Sequence, residues 1–163
     1  MELNDHVIAW VKGEVLQGKI MLVFASALLI MLVFILKGDH DFLRGMAIPL
    51  GLIVLLIGGY GAFQVIARPG HASMVSKLMN EDPQLAIQKE YEKAMKDDKA
   101  YSTLKPIWAV LIALSVGLYL YFSAYYFKGL SIGLMGLFMS VLILDSVLQY
   151  RLDVYLKALK SMI

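Results

Sequence analysis

Asp145 is the one ionisable side chain set well inside a long apolar run, in the stretch VLILDSVLQY. A carboxylate in hydrocarbon costs at least ~2.5 to 3.5 kcal/mol, so such a group has a partner or binds an ion. Arg151 follows six residues later, about 9 Å of helix rise, which places Asp145 toward one rim of a membrane rather than at its centre. Two chemistries fit. A structural pairing with Arg68, Lys105 or Lys19 at that rim is preferred, and a proton- or ion-binding site of a small transporter is the alternative. At 100° per residue, Asp145 points away from the face that carries Gly129, Gly133, Gly136 and Ser140. The last apolar run therefore has two occupied sides, which argues for contacts with further helices.

The other polar groups near apolar sequence are Gln64, within a turn of Arg68, and Gln149, just before Arg151. Both read as helix contacts at the rim. His6, His40 and His71 fall on three separate segments. Asp39-His40-Asp41 is the nearest approach to a metal triad, but hard and soft ligands on a surface link are commonplace, so no metal is expected. The chain has no cysteine, which removes disulfides, thiolate ligands and thiol nucleophiles together. It also lacks GxxxxGK[ST], HExxH and GxSxG. No catalytic residue and no cofactor is assigned.

The elements that carry these residues follow from composition. Of 163 residues, 60% are hydrophobic and the mean hydropathy is +0.70, too apolar for a soluble globular domain. The apolar residues gather into four runs, about 20–36, 42–67, 107–127 and 130–150, each near the ~20 residues that cross a bilayer as helix. Asp5 and Glu14, with no small-residue cleavage site after the first run, argue against a cleaved signal peptide. One domain is expected over 1–163. Lys37-Gly38 and Lys128-Gly129 read as the turns of two helix hairpins.

Between the hairpins lies a polar stretch, 68–105. Arg68-Pro69-Gly70 reads as a helix end, Asp82-Pro83 as an N-cap with proline at the first helical position, and Pro106 as the start of the third run. Basic and acidic residues alternate there, which argues against nucleic acid. Residues 3–16 place Val7, Ile8, Val11 and Val15 at helical spacing with Trp10 as an interfacial anchor, so a separate N-terminal amphipathic helix is expected. Small residues mark close-packing faces: Gly51 and Gly58 on the second run, Ala113 and Gly117 on the third, and Gly129, Gly133, Gly136 and Ser140 on the fourth.

The fold class expected is an all-α membrane protein of four transmembrane helices in two hairpins, with a cytoplasmic helical insertion between helices 2 and 3. Twelve of the fifteen lysines and arginines fall on the side of the termini and of 68–105, which the positive-inside rule makes cytoplasmic. A bacterial cytoplasmic membrane is the expected location. The preferred function is a non-enzymatic subunit or accessory protein of a larger membrane complex. A small oligomeric transporter or channel using Asp145 is the alternative, and a lipid-active membrane enzyme is third. Expected partners are membrane lipids and other membrane subunits or further copies of the chain.

Overall fold

The computed structural model describes residues 3–162; Met1, Glu2 and Ile163, the extremes of the expected domain, lie outside them. Four helices make up almost all of it: α1 (Leu3–Lys37), α2 (Asp41–Glu81), α3 (Pro83–Tyr121) and α4 (Tyr125–Lys160). Each is long and apolar enough to cross a membrane. Helices of 35 to 41 residues extend roughly 50 to 60 Å, about twice the ~30 Å hydrocarbon thickness. Every helix therefore has an apolar half and a polar end, and the four polar ends meet.

This continuity corrects the expected insertion and the expected amphipathic helix. Residues 3–16 are the first turns of α1, without a break at Gly13. The stretch 68–105 is the end of α2 and the beginning of α3, and both Pro69 and Pro106 lie inside helices. The reason is a packing seam that ignores the breakers. Along α1, Val7, Val11, Glu14, Gly18, Met21 and Ala25 are buried in alternating four- and three-residue steps, continued by half-buried Leu28 and Leu32 to buried Ile35, which keeps one side facing a partner helix. On α2 the facing positions run in strict antiparallel register: Glu14 meets Arg68, Gly61 lies on Met21, Gly58 on Ala25 and Gly51 on Leu32. Residue numbers of these facing pairs add to 82 or 83 throughout. Tertiary packing along this seam holds α2 helical past Pro69, where local propensity alone would end it.

The turns also differ in detail. Asp82 does start α3, its side chain accepting a hydrogen bond from the Leu85 amide at 3.0 Å, with Pro83 next. At the first link neither Asp39 nor Asp41 caps the following helix. His40 takes the N-cap position with no side-chain bond, and Asp39 pairs with Arg44. The link between α3 and α4 is Phe122-Ser123-Ala124, not Lys128-Gly129, which lies inside α4. Gly129 serves proximity instead of a turn: a Cβ there would collide with the Phe42 carbonyl of α2.

In the apolar half α2 lies between α1 and α4, and α3 packs on the far side of α4. Met21, Ala25, Ile53, Ile57 and Leu137 form the core of this half. The polar ends form a second core that draws on all four helices, with Val7 and Val11, Val75, Ala86 and Ile87, and Leu152 and Leu159.

Candidate functional site

The chemistry-bearing side chains gather at the polar end, immediately beyond the apolar halves. Each helix contributes one member of a closed ring. Trp10 of α1 stacks on Tyr155 of α4 with centroids 5.2 Å apart, and meets His71 of α2 edge-on at 6.2 Å. His71 Nε2 lies 3.2 Å from Glu90 Oε2 of α3, and the Tyr155 hydroxyl donates to the same oxygen at 3.1 Å. Lys93 Nζ adds a contact to His71 at 3.2 Å. Burial pushes the Glu90 carboxyl up, but the His71 bond and charge, Lys93 and Tyr155 together outweigh it and hold it below its ordinary value. Tyr155 is pushed far above the usual phenol range, by burial first and then by Glu90.

A second group lies between this ring and the apolar half. Arg68 Nε approaches Glu14 Oε2 at 2.7 Å, an ion pair whose carboxylate is 4% exposed; the approach is not aligned as a hydrogen bond. The Arg68 guanidinium also lies over the Trp10 ring, 4.9 Å from its centre. Burial raises Glu14 above its ordinary value, and the charges of Arg68 and Arg151 oppose this without cancelling it. Arg151 donates to Gln17 Oε1 at 2.6 Å and to the Trp10 carbonyl at 3.3 Å. The cavity enclosed by Trp10, Glu14, Arg68, Asp97, Tyr101 and Arg151 is about 10 Å³, room for one water at most. On their outer side His71, Glu90 and Lys93 of the ring also line an open cavity of about 560 Å³.

Gln64 belongs to this region and is fully buried, with neither its oxygen nor its nitrogen hydrogen-bonded among the described residues. It fits because Gly18 faces it; a Cβ on Gly18 would come within 2.9 Å of the Gln64 Cβ. Gln64 is thus enclosed between helices, a helix contact in keeping with its reading from the sequence. Gln149 joins α4 to α3, donating to Asp98 Oδ1 at 2.6 Å and to Ser102 Oγ at 2.9 Å.

Asp145 finds a partner that sequence reasoning did not name. It is 8% exposed, and its Oδ2 accepts a 2.7 Å hydrogen bond from Trp108 Nε1 of α3. Among the described residues, neither Arg68, Lys105 nor Lys19 pairs with it. Gly129 and Gly133 meanwhile lie on Phe42 and Pro49 of α2. Both sides of α4 are thus occupied within this chain, so two occupied sides no longer argue for a further helix.

The small-residue faces divide. Gly51 and Gly58 face α1 as expected, and Gly129 and Gly133 face α2, but Gly117 and Gly136 have no neighbour within reach of a Cβ, and Ala113 is exposed. Two further close contacts carry no prior assignment: Gly18 against Gly61, each beside the other's carbonyl, and Gly45 against the Tyr126 carbonyl. Glu14, Glu90 and Tyr155 were also missed. The heptad step through Val7, Val11, Glu14, Gly18 and Met21 is the signal that marks Glu14 and Gly18 as buried; the ring, which joins four helices, leaves none. No known protein family, curated protein or solved structure matches the chain.

Proposed function

We propose that this chain is a non-enzymatic membrane subunit or accessory protein that holds a partner through the open side of its third helix. One observation carries the reading. In the apolar half of α3 only Ser115 is buried, while Ala109, Ala113 and Gly117 form a small-residue line with nothing packed on it. Such lines let a second helix approach closely, and close packing is the main force between helices in lipid.

In this reading the four apolar halves span a bacterial cytoplasmic membrane as two hairpins, with the polar end and both termini in the cytoplasm, by the positive-inside rule. Cysteines introduced singly at Ser73 and Ser102 should resist an impermeant thiol reagent in whole cells, and one at Asp39 should react; the reverse pattern inverts the orientation. The partner reading is tested by purification in mild detergent. A stoichiometric membrane partner is expected, and Gly117→Leu should release it while the chain itself stays folded. Isolation of the chain with no partner, or a partner indifferent to Gly117→Leu, would remove the support. The Trp108 bond favours a structural Asp145 over an ion site. A gradient-driven flux in vesicles, abolished by Asp145→Asn with the fold intact, would reverse that preference.

A further inference from the structure

In the apolar half α1 and α4 do not touch closely, and the gap between them is an open groove of about 480 Å³ with Ile57 of α2 among its lining residues. That volume lies within the ~300 to 1,000 Å³ of small-molecule sites. The lining is almost wholly apolar, and Leu16, Ile20, Phe24 and Ile143 leave 52 to 62% of their surface uncovered. The groove runs on α1 from Gly13 to Phe24. On α4 it runs from Ser140 to Val147, with Arg151 one turn further on. Eleven residues of α1 rise about 16 Å, close to half of the ~30 Å hydrocarbon thickness. In length the groove matches about one leaflet.

Its polar mouth is built by Arg151. The guanidinium covers Gly13, where any Cβ would collide with it, and Gln17, which lines the groove, accepts from its Nη1. An arginine has five N–H donors; among the described residues those of Arg151 meet only Gln17 and the Trp10 carbonyl. Among the described residues no carboxylate lies within ion-pair distance of it, because Glu14 is taken by Arg68. An apolar slot of single-leaflet length, ending in a cation with unused donors, matches a lipid with an anionic headgroup. A partner's transmembrane helix would need a slot twice as long.

We infer that the α1/α4 groove binds one anionic phospholipid of the leaflet on the polar-end side, an acyl chain lying between Phe24 and Ile143 and the phosphate against Arg151. The inference needs the apolar halves to span a membrane but not the partner on α3. The test uses the full chain, delipidated in mild detergent and titrated with dioleoyl phosphatidylglycerol or dioleoyl phosphatidylcholine, with bound lipid counted by native mass spectrometry. One phosphatidylglycerol per chain is expected, preferred about fivefold or more, the scale of one arginine facing an anionic headgroup. Arg151→Gln should abolish the preference and Arg151→Lys should retain most of it. Ile143→Trp fills the groove from an exposed position, leaves Arg151 in place, and should remove retention of both lipids with helicity unchanged. Equal retention of the two lipids, a preference unmoved by Arg151→Gln, or retention unmoved by Ile143→Trp would each overturn the assignment. So would a dimer cross-linked through cysteines at Phe24 and Ser140, which would put a second copy in the groove.

Discussion

The polar end and the apolar half use the same four helices and assemble them differently. At the polar end Trp10, His71, Glu90 and Tyr155, one from each helix, close into a ring, and all four helices share a core. In the apolar half the helices form a row, with α1 and α3 at its edges and long apolar faces uncovered. The difference follows from the solvent each half is built for. Water drives apolar surface together at the polar end. Lipid tails are as apolar as leucine, so in the other half association leans on close packing, favoured where small residues or hydrogen bonds bring helices together. Gly18 on Gly61, Gly129 on Phe42 and Trp108 on Asp145 are contacts of those kinds, beside the Ile53, Ile57 and Leu137 core.

If the polar end is the rigid part, breaking its buried ion pair should have the largest effect. Arg68→Ala leaves Glu14 buried without its partner and should cost ~3 to 5 kcal/mol, read as a fall in thermal unfolding temperature in detergent. The contrast within the apolar half is next. Gly129→Leu forces α4 off the α2 backbone and should cost ~1 to 3 kcal/mol or more by overpacking, whereas Gly136→Leu, which meets nothing, should be near neutral in the same assay. Equal effects would mean that the row is not held where the glycines touch.

The ring adds a pH signature. Glu90 has its carboxyl held below the ordinary 4.5, so its contribution is fully present above that value and lost as pH falls through the lower folded-state value. Glu90→Gln should therefore cost ~1 to 3 kcal/mol near neutrality and progressively less below about pH 4.5, measured as unfolding temperature against pH. Trp108→Phe leaves Asp145 Oδ2 without its donor and should cost ~1 to 2 kcal/mol by detergent unfolding, smaller than the Arg68 change because a single neutral donor is lost. The smallest effect is expected at Gln64. Leucine there removes two buried polar atoms that bond to nothing among the described residues, so Gln64→Leu should be neutral or stabilising by up to ~1 kcal/mol.

Legibility along the chain followed how local each signal was. Asp82-Pro83 was readable because a cap and a proline act within one turn. Lys128-Gly129 misled because a glycine that permits a turn also permits a close helix contact, and only the position of Phe42 separates the two. Arg68-Pro69-Gly70 misled because the residues that keep α2 helical lie on α1, more than fifty positions away.

What the sequence by itself determined is the class: four helices long and apolar enough to cross a membrane, since hydrocarbon leaves a chain of this hydropathy few alternatives to helix. Tertiary structure alone decided that the polar ends close while the apolar halves stay open, that Asp145 bonds to Trp108, and that Arg151 is left with donors to spare. Each of these depends on which helix lies beside which, a choice made by contacts distant in sequence and weak in number.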